Sequence, residues 1–83
     1  MTLGKQMRKI RLSRDMTQQE VGELMGFSEK CSKSVVSNFE TGKRIPPKTP
    51  FFQFIKAMEM NKSDKSALIQ KWEEAVINKS HSK

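Results

Sequence analysis

Met16 to Ser28 reads M-T-Q-Q-E-V-G-E-L-M-G-F-S, and Val35 to Pro46 reads V-V-S-N-F-E-T-G-K-R-I-P. In the first stretch Thr17 precedes Glu20 by three residues, the spacing of a capping box. The hydroxyl accepts one free N–H of a helix start and the carboxylate accepts another. The spacing predicts a helix from about Gln18 to Met25 that buries Val21 and either Leu24 or Met25. Gly26 then supplies the left-handed residue that ends it. Gly22, inside this helix, costs about 1 kcal/mol against alanine, and a glycine kept at that cost marks close helix–helix approach. In the second stretch Val36 and Phe39 face inward from a helix over Val35–Glu40 that Gly42 stops. The polar residues between the two, Glu29–Ser34, read equally as helix or loop.

Outward from this centre the chain continues in helices. Thr2 caps a first helix from about Leu3 to Arg14, with Leu3, Met7 and Ile10 as its apolar stripe at i, i+4, i+7. Lys43 to Pro50 is a basic, proline-rich loop. Thr49 can cap a fourth helix, with Pro50 at its first position, where a missing N–H does no harm. That helix reaches Glu59 or Met60 and presents Phe51, Phe54, Ile55 and Met58. Asn61 or Ser63 caps a fifth, about 64–78, with Leu68, Ile69, Trp72 and Val76 along one side. Residues 79–83 read as a flexible tail. The expectation is one all-α domain over residues 1–78, built of five helices. The methionines at helical spacing and the Phe51, Phe52 and Phe54 cluster read as core filling before any metal or base-stacking role.

Composition narrows the function. Eighty-three residues allow one small domain with a thin core. A single cysteine, Cys31, and a single histidine, His81, leave no disulfide framework and no zinc site. The sequence carries neither a phosphate-binding P-loop nor a dinucleotide-binding glycine motif. The adjacent carboxylates Glu73 and Glu74 point about 100° apart on a helix. No enzyme, metal or cofactor is expected. The longest apolar runs, such as Phe51-Phe52 and Phe54-Ile55, cannot span a membrane, and Lys5, Arg8, Lys9 and Arg11 break any signal-peptide pattern, so a cytoplasmic location is expected. Charge gives the positive lead: the formal net charge is +7. Residues 1–50 hold ten basic and five acidic residues, against six and four in 51–83. A small domain with this bias attracts polyanions, DNA and RNA foremost.

Two short helices joined at Gly26, the second followed by Lys43 and Arg44, have the sequence form of a helix-turn-helix. The T-Q-x-E element at Thr17–Glu20, together with S-N-F-E-T-G-K at Ser37–Lys43, resembles the phage-repressor family of Cro or XRE type. The likeness covers about residues 3–60. It implies a lambda-repressor-like DNA-binding domain whose helix-turn-helix lies at helices two and three. By that resemblance Gln18 and Lys43 contact phosphate, with Arg44 assisting. The family's base-reading positions flank the buried Val36 and fall on Lys33, Ser34, Ser37 and Asn38. Asn38 has the paired groups that suit adenine, and Lys33 the donors that suit guanine O6 and N7. Arg11 and Glu40 match a family pair that ties helix one to the end of helix three.

The chain departs from the family at one place. Val36 comes eight residues after Ser28, about four more than the usual turn. The added residues around Glu29–Ser32 either lengthen the recognition helix at its start or form a looser loop, and they make Lys30 and Ser32 further phosphate candidates. Cys31 lies in this insert. A thiol between Lys30 and Lys33 has the setting of a redox switch, but a lone thiol that packs as a small hydrophobe or is simply exposed is the preferred reading.

The apolar face of helix five, Leu68, Ile69, Trp72 and Val76, exceeds what four short helices need, so a homodimer through it is expected. Two recognition helices would then stand about 34 Å apart and read a near-palindrome. The reading that follows is a sequence-specific, dimeric repressor that binds double-stranded DNA through the major groove. The rival readings are an antitoxin whose helices four and five bind a toxin, a restriction–modification controller protein with autoregulatory DNA binding, and a nonspecific basic chaperone of nucleic acid. A protein partner such as a toxin or anti-repressor is left open.

Overall fold

The computed structural model describes residues 2–81, and the side chains of 2–78. Among these residues the chain forms five helices and no strand: α1 Leu3–Ser13, α2 Gln18–Leu24, α3 Ser32–Thr41, α4 Lys48–Ala57 and α5 Lys62–His81. The expected all-α architecture is the one that forms.

The helix ends follow the capping chemistry in most places. Thr2 Oγ1 accepts from the N–H of Lys5 at 3.3 Å. The Thr17 capping box is complete: Thr17 Oγ1 accepts from Glu20 N at 3.0 Å and Glu20 Oε1 accepts from Thr17 N at 2.8 Å. Gly26 and Gly42 sit at φ +98° and +85°, the left-handed region that ends α2 and α3 without strain. Asn61, of the two candidates, caps α5, since its Oδ1 accepts from Asp64 N at 2.8 Å. α5 then runs longer than expected, from Lys62 to His81. Residues 79–81 of the expected tail continue its backbone, and 82–83 lie outside the described residues.

The bounds of α4 and the start of α3 also differ from the sequence reading, α4 ending at Ala57 rather than at Glu59 or Met60. α4 begins at Lys48, with Pro47 in the N-cap position and no side-chain cap, so Thr49 is not the cap. Pro50 falls at the third helical position, where the backbone nitrogen still has no acceptor within the helix, and the proline costs nothing there. α3 begins at Ser32 rather than Val35. The insert ahead of it coils into one turn, in which the Ser28 carbonyl accepts from Cys31 N at 3.2 Å and Ser32 N at 3.0 Å.

The core is a single cluster drawn from all five helices: Leu3, Met7, Ile10, Val21, Met25, Val36, Phe39, Phe51, Phe54, Ile55, Met58 and Leu68. Of the two α2 alternatives Met25 is buried, and Leu24 stays 44% exposed. Each large side chain sealed here stabilises the fold by roughly 1.5–3 kcal/mol. The expected close approach at Gly22 is present. A Cβ there would meet the Ser32 side chain and lie 2.6 Å from Ser32 Cα, so α2 and α3 touch backbone to backbone. Arg14 fastens α1 to the end of α4 by donating to the Met58 carbonyl from Nε at 3.1 Å and from Nη2 at 2.9 Å.

The apolar face of α5 divides between two destinations. Leu68 is 1% exposed and belongs to the core of its own chain. Trp72 stacks on Phe51 with ring centroids 5.1 Å apart and an interplanar angle of 10°. Its indole N–H donates to the Pro46 carbonyl at 2.7 Å. The face that was expected to meet a second subunit through Leu68 and Trp72 is therefore largely used inside the chain, because the loop at Pro46 and helix α4 offer a nearer apolar surface. Ile69 stays half-buried and Val76 exposed. Among the described residues no helix is long and apolar enough to cross a membrane.

Candidate nucleic-acid interface

The α2–α3 pair determines which side chains face solvent. Ser32, Val36 and Phe39 turn inward from α3, which leaves Lys33, Ser34, Ser37, Asn38 and Thr41 on its outer side. Lys33 and Ser34 are exposed, and Ser37 and Asn38 half-exposed. None of the Lys33, Ser34, Ser37 or Asn38 side chains has an intramolecular hydrogen-bond partner among the described residues. A row of polar groups without internal partners has its donors and acceptors free for an outside ligand. Thr41 differs, since its hydroxyl donates back to the Ser37 and Asn38 carbonyls at 3.0 and 3.3 Å.

Lys33 and Ser37 share an open concavity of about 710 Å³ with Arg8 and Arg11 of α1, Gln18 and Gln19 of α2, and Glu40 and Thr41 of α3. Ser34 and Asn38 lie on the other flank of the same helix, outside this concavity. Lys43 and Arg44 are exposed just after Gly42. The backbone N–H of Arg44 donates to the Asn38 carbonyl at 3.2 Å, so the basic loop folds back against the end of α3. Lys30 is exposed in the inserted turn.

A polar network holds these elements in register. Arg11 Nε donates to Glu40 Oε2 at 2.7 Å and Nη2 donates to Oε1 at 3.2 Å, a two-pronged pair across α1 and α3. The two side chains are only 10% and 5% exposed. Arg11 Nη1 also donates to the Met16 carbonyl at 2.8 Å, which fixes the link into α2. Gln18 Nε2 donates to Glu40 Oε1 at 3.0 Å. A charge pair this enclosed derives its strength from fixed geometry and low solvent screening. The same carboxylate therefore fastens the first residue of α2.

Ser32 leaves the set of phosphate candidates. It is 0% exposed, and its hydroxyl donates inward to the Ser28 carbonyl at 2.7 Å and the Phe27 carbonyl at 3.3 Å. Its place against Gly22 puts it inside the joint rather than on the surface. Two residues in the concavity were missed from the sequence. Arg8 sits three residues before Arg11 on α1, a helical spacing that turns both toward α2 and α3, and that spacing was the available signal. Gln19 donates to Glu23 Oε2 and to the Glu29 carbonyl, both at 2.7 Å, and so ties α2 to the inserted turn. Nothing local announced that role, because its acceptor is ten residues away. Cys31 is half-buried in the same turn with Sγ 3.2 Å from Ser28 Oγ.

A family profile described as helix-turn-helix matches residues 7–62, well over half of the chain. The matched stretch takes in most of α1, all of α2, α3 and α4, and only the first residue of α5. Comparison with curated proteins and with solved structures gives no significant match to either.

Proposed function

The chain belongs to the Cro-type helix-turn-helix family of DNA-binding regulatory domains, and from that premise we propose that it is a sequence-specific repressor acting as a homodimer on a near-palindromic operator. In this reading α3 enters the major groove. Asn38 and Lys33 make the discriminating contacts to base edges, and Ser34 and Ser37 fill the space between. Gln18, at the start of α2 and fastened to Glu40, presents its remaining polar atoms and the free N–H groups of that helix end to a phosphate. Lys30, Lys43 and Arg44 add phosphate contacts on either side. The protein works where the DNA is, in the cytoplasm of its cell.

The observation that carries the reading is the outer face of α3. Four polar side chains there, the cation Lys33 among them, have no internal partner among the described residues, and they lie in the half of the chain that holds most of the net charge. Selection of bound duplexes from a randomised pool tests it. The expected result is an inverted repeat whose half-sites are centred about one helical turn, roughly 34 Å, apart. A pool that gains no shared sequence contradicts it.

A further inference from the structure

The turn inserted ahead of α3 is built as a further turn of that helix. The Ser28 carbonyl accepts from Ser32 N, four residues on, at 3.0 Å, and the Cys31 carbonyl accepts from Val35 N at 2.9 Å. Cys31, at the joint, keeps right-handed helical backbone angles. Lys30 therefore stands three and four residues before Lys33 and Ser34, on the flank those two share, and it is exposed. The outer row of α3 gains about one turn, or 5.4 Å. Successive phosphates of one DNA strand are about 3.4 Å apart along the axis, so one added turn is enough to meet one more of them.

Gln19, half-buried on α2, ties this turn down. Its Nε2 donates to the Glu29 carbonyl and to Glu23 Oε2, both at 2.7 Å. An amide nitrogen carries two hydrogens, and both partners here are acceptors, so both hydrogens are engaged. The remaining Oε1 can only accept, and a phosphate diester offers no donor. Gln19 lines the same concavity as Lys33, yet it has nothing left to give the DNA backbone. Gln18 beside it uses one amide hydrogen on Glu40 and keeps the other. We propose that Gln19 is a positioning residue: by holding the Glu29 carbonyl it fixes the adjoining Lys30 so that its ammonium meets a backbone phosphate beyond those reached from Lys33. The Glu29 carbonyl belongs to the planar peptide unit that leads into Lys30, so a bond to that oxygen sets the direction in which the lysine leaves the turn. A lysine on a turn already held has less freedom to lose when it meets its phosphate. This role rests on the DNA-binding reading above and extends its contact surface to the inserted turn.

Binding isotherms of the full chain on one fixed duplex, from about 50 to 200 mM salt, test it with Lys30→Ala, Gln19→Ala and the double variant. Circular dichroism at the assay temperature confirms that each variant is folded. Lys30→Ala is expected to flatten the slope of log affinity against log salt by about 0.9. Gln19→Ala removes no charge, yet it is expected to flatten the slope by most of that amount. The double variant should lose no more than Lys30→Ala alone, since the two residues act on one contact. A merely structural loss at Gln19 would instead lower affinity alike at every salt concentration and leave the slope intact. If the affinity of the unaltered chain for duplex DNA does not change with salt, the DNA-binding reading and this proposal fail together. Should Lys43→Ala flatten the slope while Lys30→Ala leaves it unchanged, the reading stands and the added contact is wrong. An intact slope in Gln19→Ala beside a flattened one in Lys30→Ala overturns the positioning role. Losses that add in the double variant also overturn it, because Gln19 would then meet the DNA itself.

Discussion

Gln18 Nε2 donates to Glu40 Oε1 at 3.0 Å, on the same carboxylate that holds Arg11. One acidic side chain at the end of α3 thus anchors the start of α2 and the body of α1. Glu40→Ala would leave the Arg11 guanidinium enclosed without its counter-charge, a change that costs about 3 kcal/mol. In a domain of this size that lowers the melting temperature by about 10 °C or more. Gln18→Ala removes only the outer link and is expected to cost about 1 kcal/mol, while lowering affinity for every duplex. Thermal melts of the two variants, read beside their binding curves, separate the scaffold from the contact.

Cations that touch phosphate are distinguishable from those that merely raise the net charge. Lys43→Ala and Arg8→Ala should each flatten the slope of log affinity against log salt by about 0.9, and by the same amount on operator and random DNA. Lys56→Ala, on α4 and outside the α2–α3 surface, should leave the slope unchanged. Binding isotherms at four or five salt concentrations decide it, and equal slopes for all three variants would remove Arg8 and Lys43 from the interface.

The joint between α2 and α3 has no room for a methyl group at Gly22, whose added Cβ would lie 2.6 Å from Ser32 Cα. Gly22→Ala should therefore destabilise by about 1–3 kcal/mol through overpacking, although alanine favours the helix intrinsically. Urea denaturation measures this. A more stable variant would mean that the two helices do not approach as described.

Trp72→Phe keeps an aromatic ring over Phe51 but deletes the donor to the Pro46 carbonyl. The expected loss is about 1 kcal/mol of folding stability, with no change in self-association, because Trp72 is engaged within its own chain by Phe51 and the Pro46 carbonyl. A variant that melts normally but no longer self-associates would return Trp72 to the dimer surface.

Most helix ends were legible because their signals are local. Thr17 with Glu20, Gly26 and Gly42 each satisfy or terminate backbone groups within a few residues, and the structure uses them as read. The family's elements at Gln18 and at Ser37–Lys43 likewise pointed to the α2–α3 pair. The start of α3 was not legible. The run K-C-S-K-S carries no apolar period, and Ser32 is committed by tertiary contacts, its hydroxyl to Phe27 and Ser28 and its backbone to Gly22. The face of α5 failed for a related reason. Helical spacing groups Leu68, Ile69, Trp72 and Val76, but it does not say whether a face meets its own chain or another. That depended on Phe51 and Pro46, some twenty residues earlier.

The central claim is that the outer face of α3 reads bases. The most direct measurement is fluorescence anisotropy of the unaltered chain and of Asn38→Ala, each titrated onto the selected operator and onto a scrambled duplex at one fixed salt concentration. Removing a paired base contact is expected to cost about 1–3 kcal/mol on the operator and nearly nothing on the scrambled DNA, so the ratio of the two affinities collapses. An Asn38→Ala chain that keeps the full ratio, or loses affinity equally on both duplexes, contradicts the account.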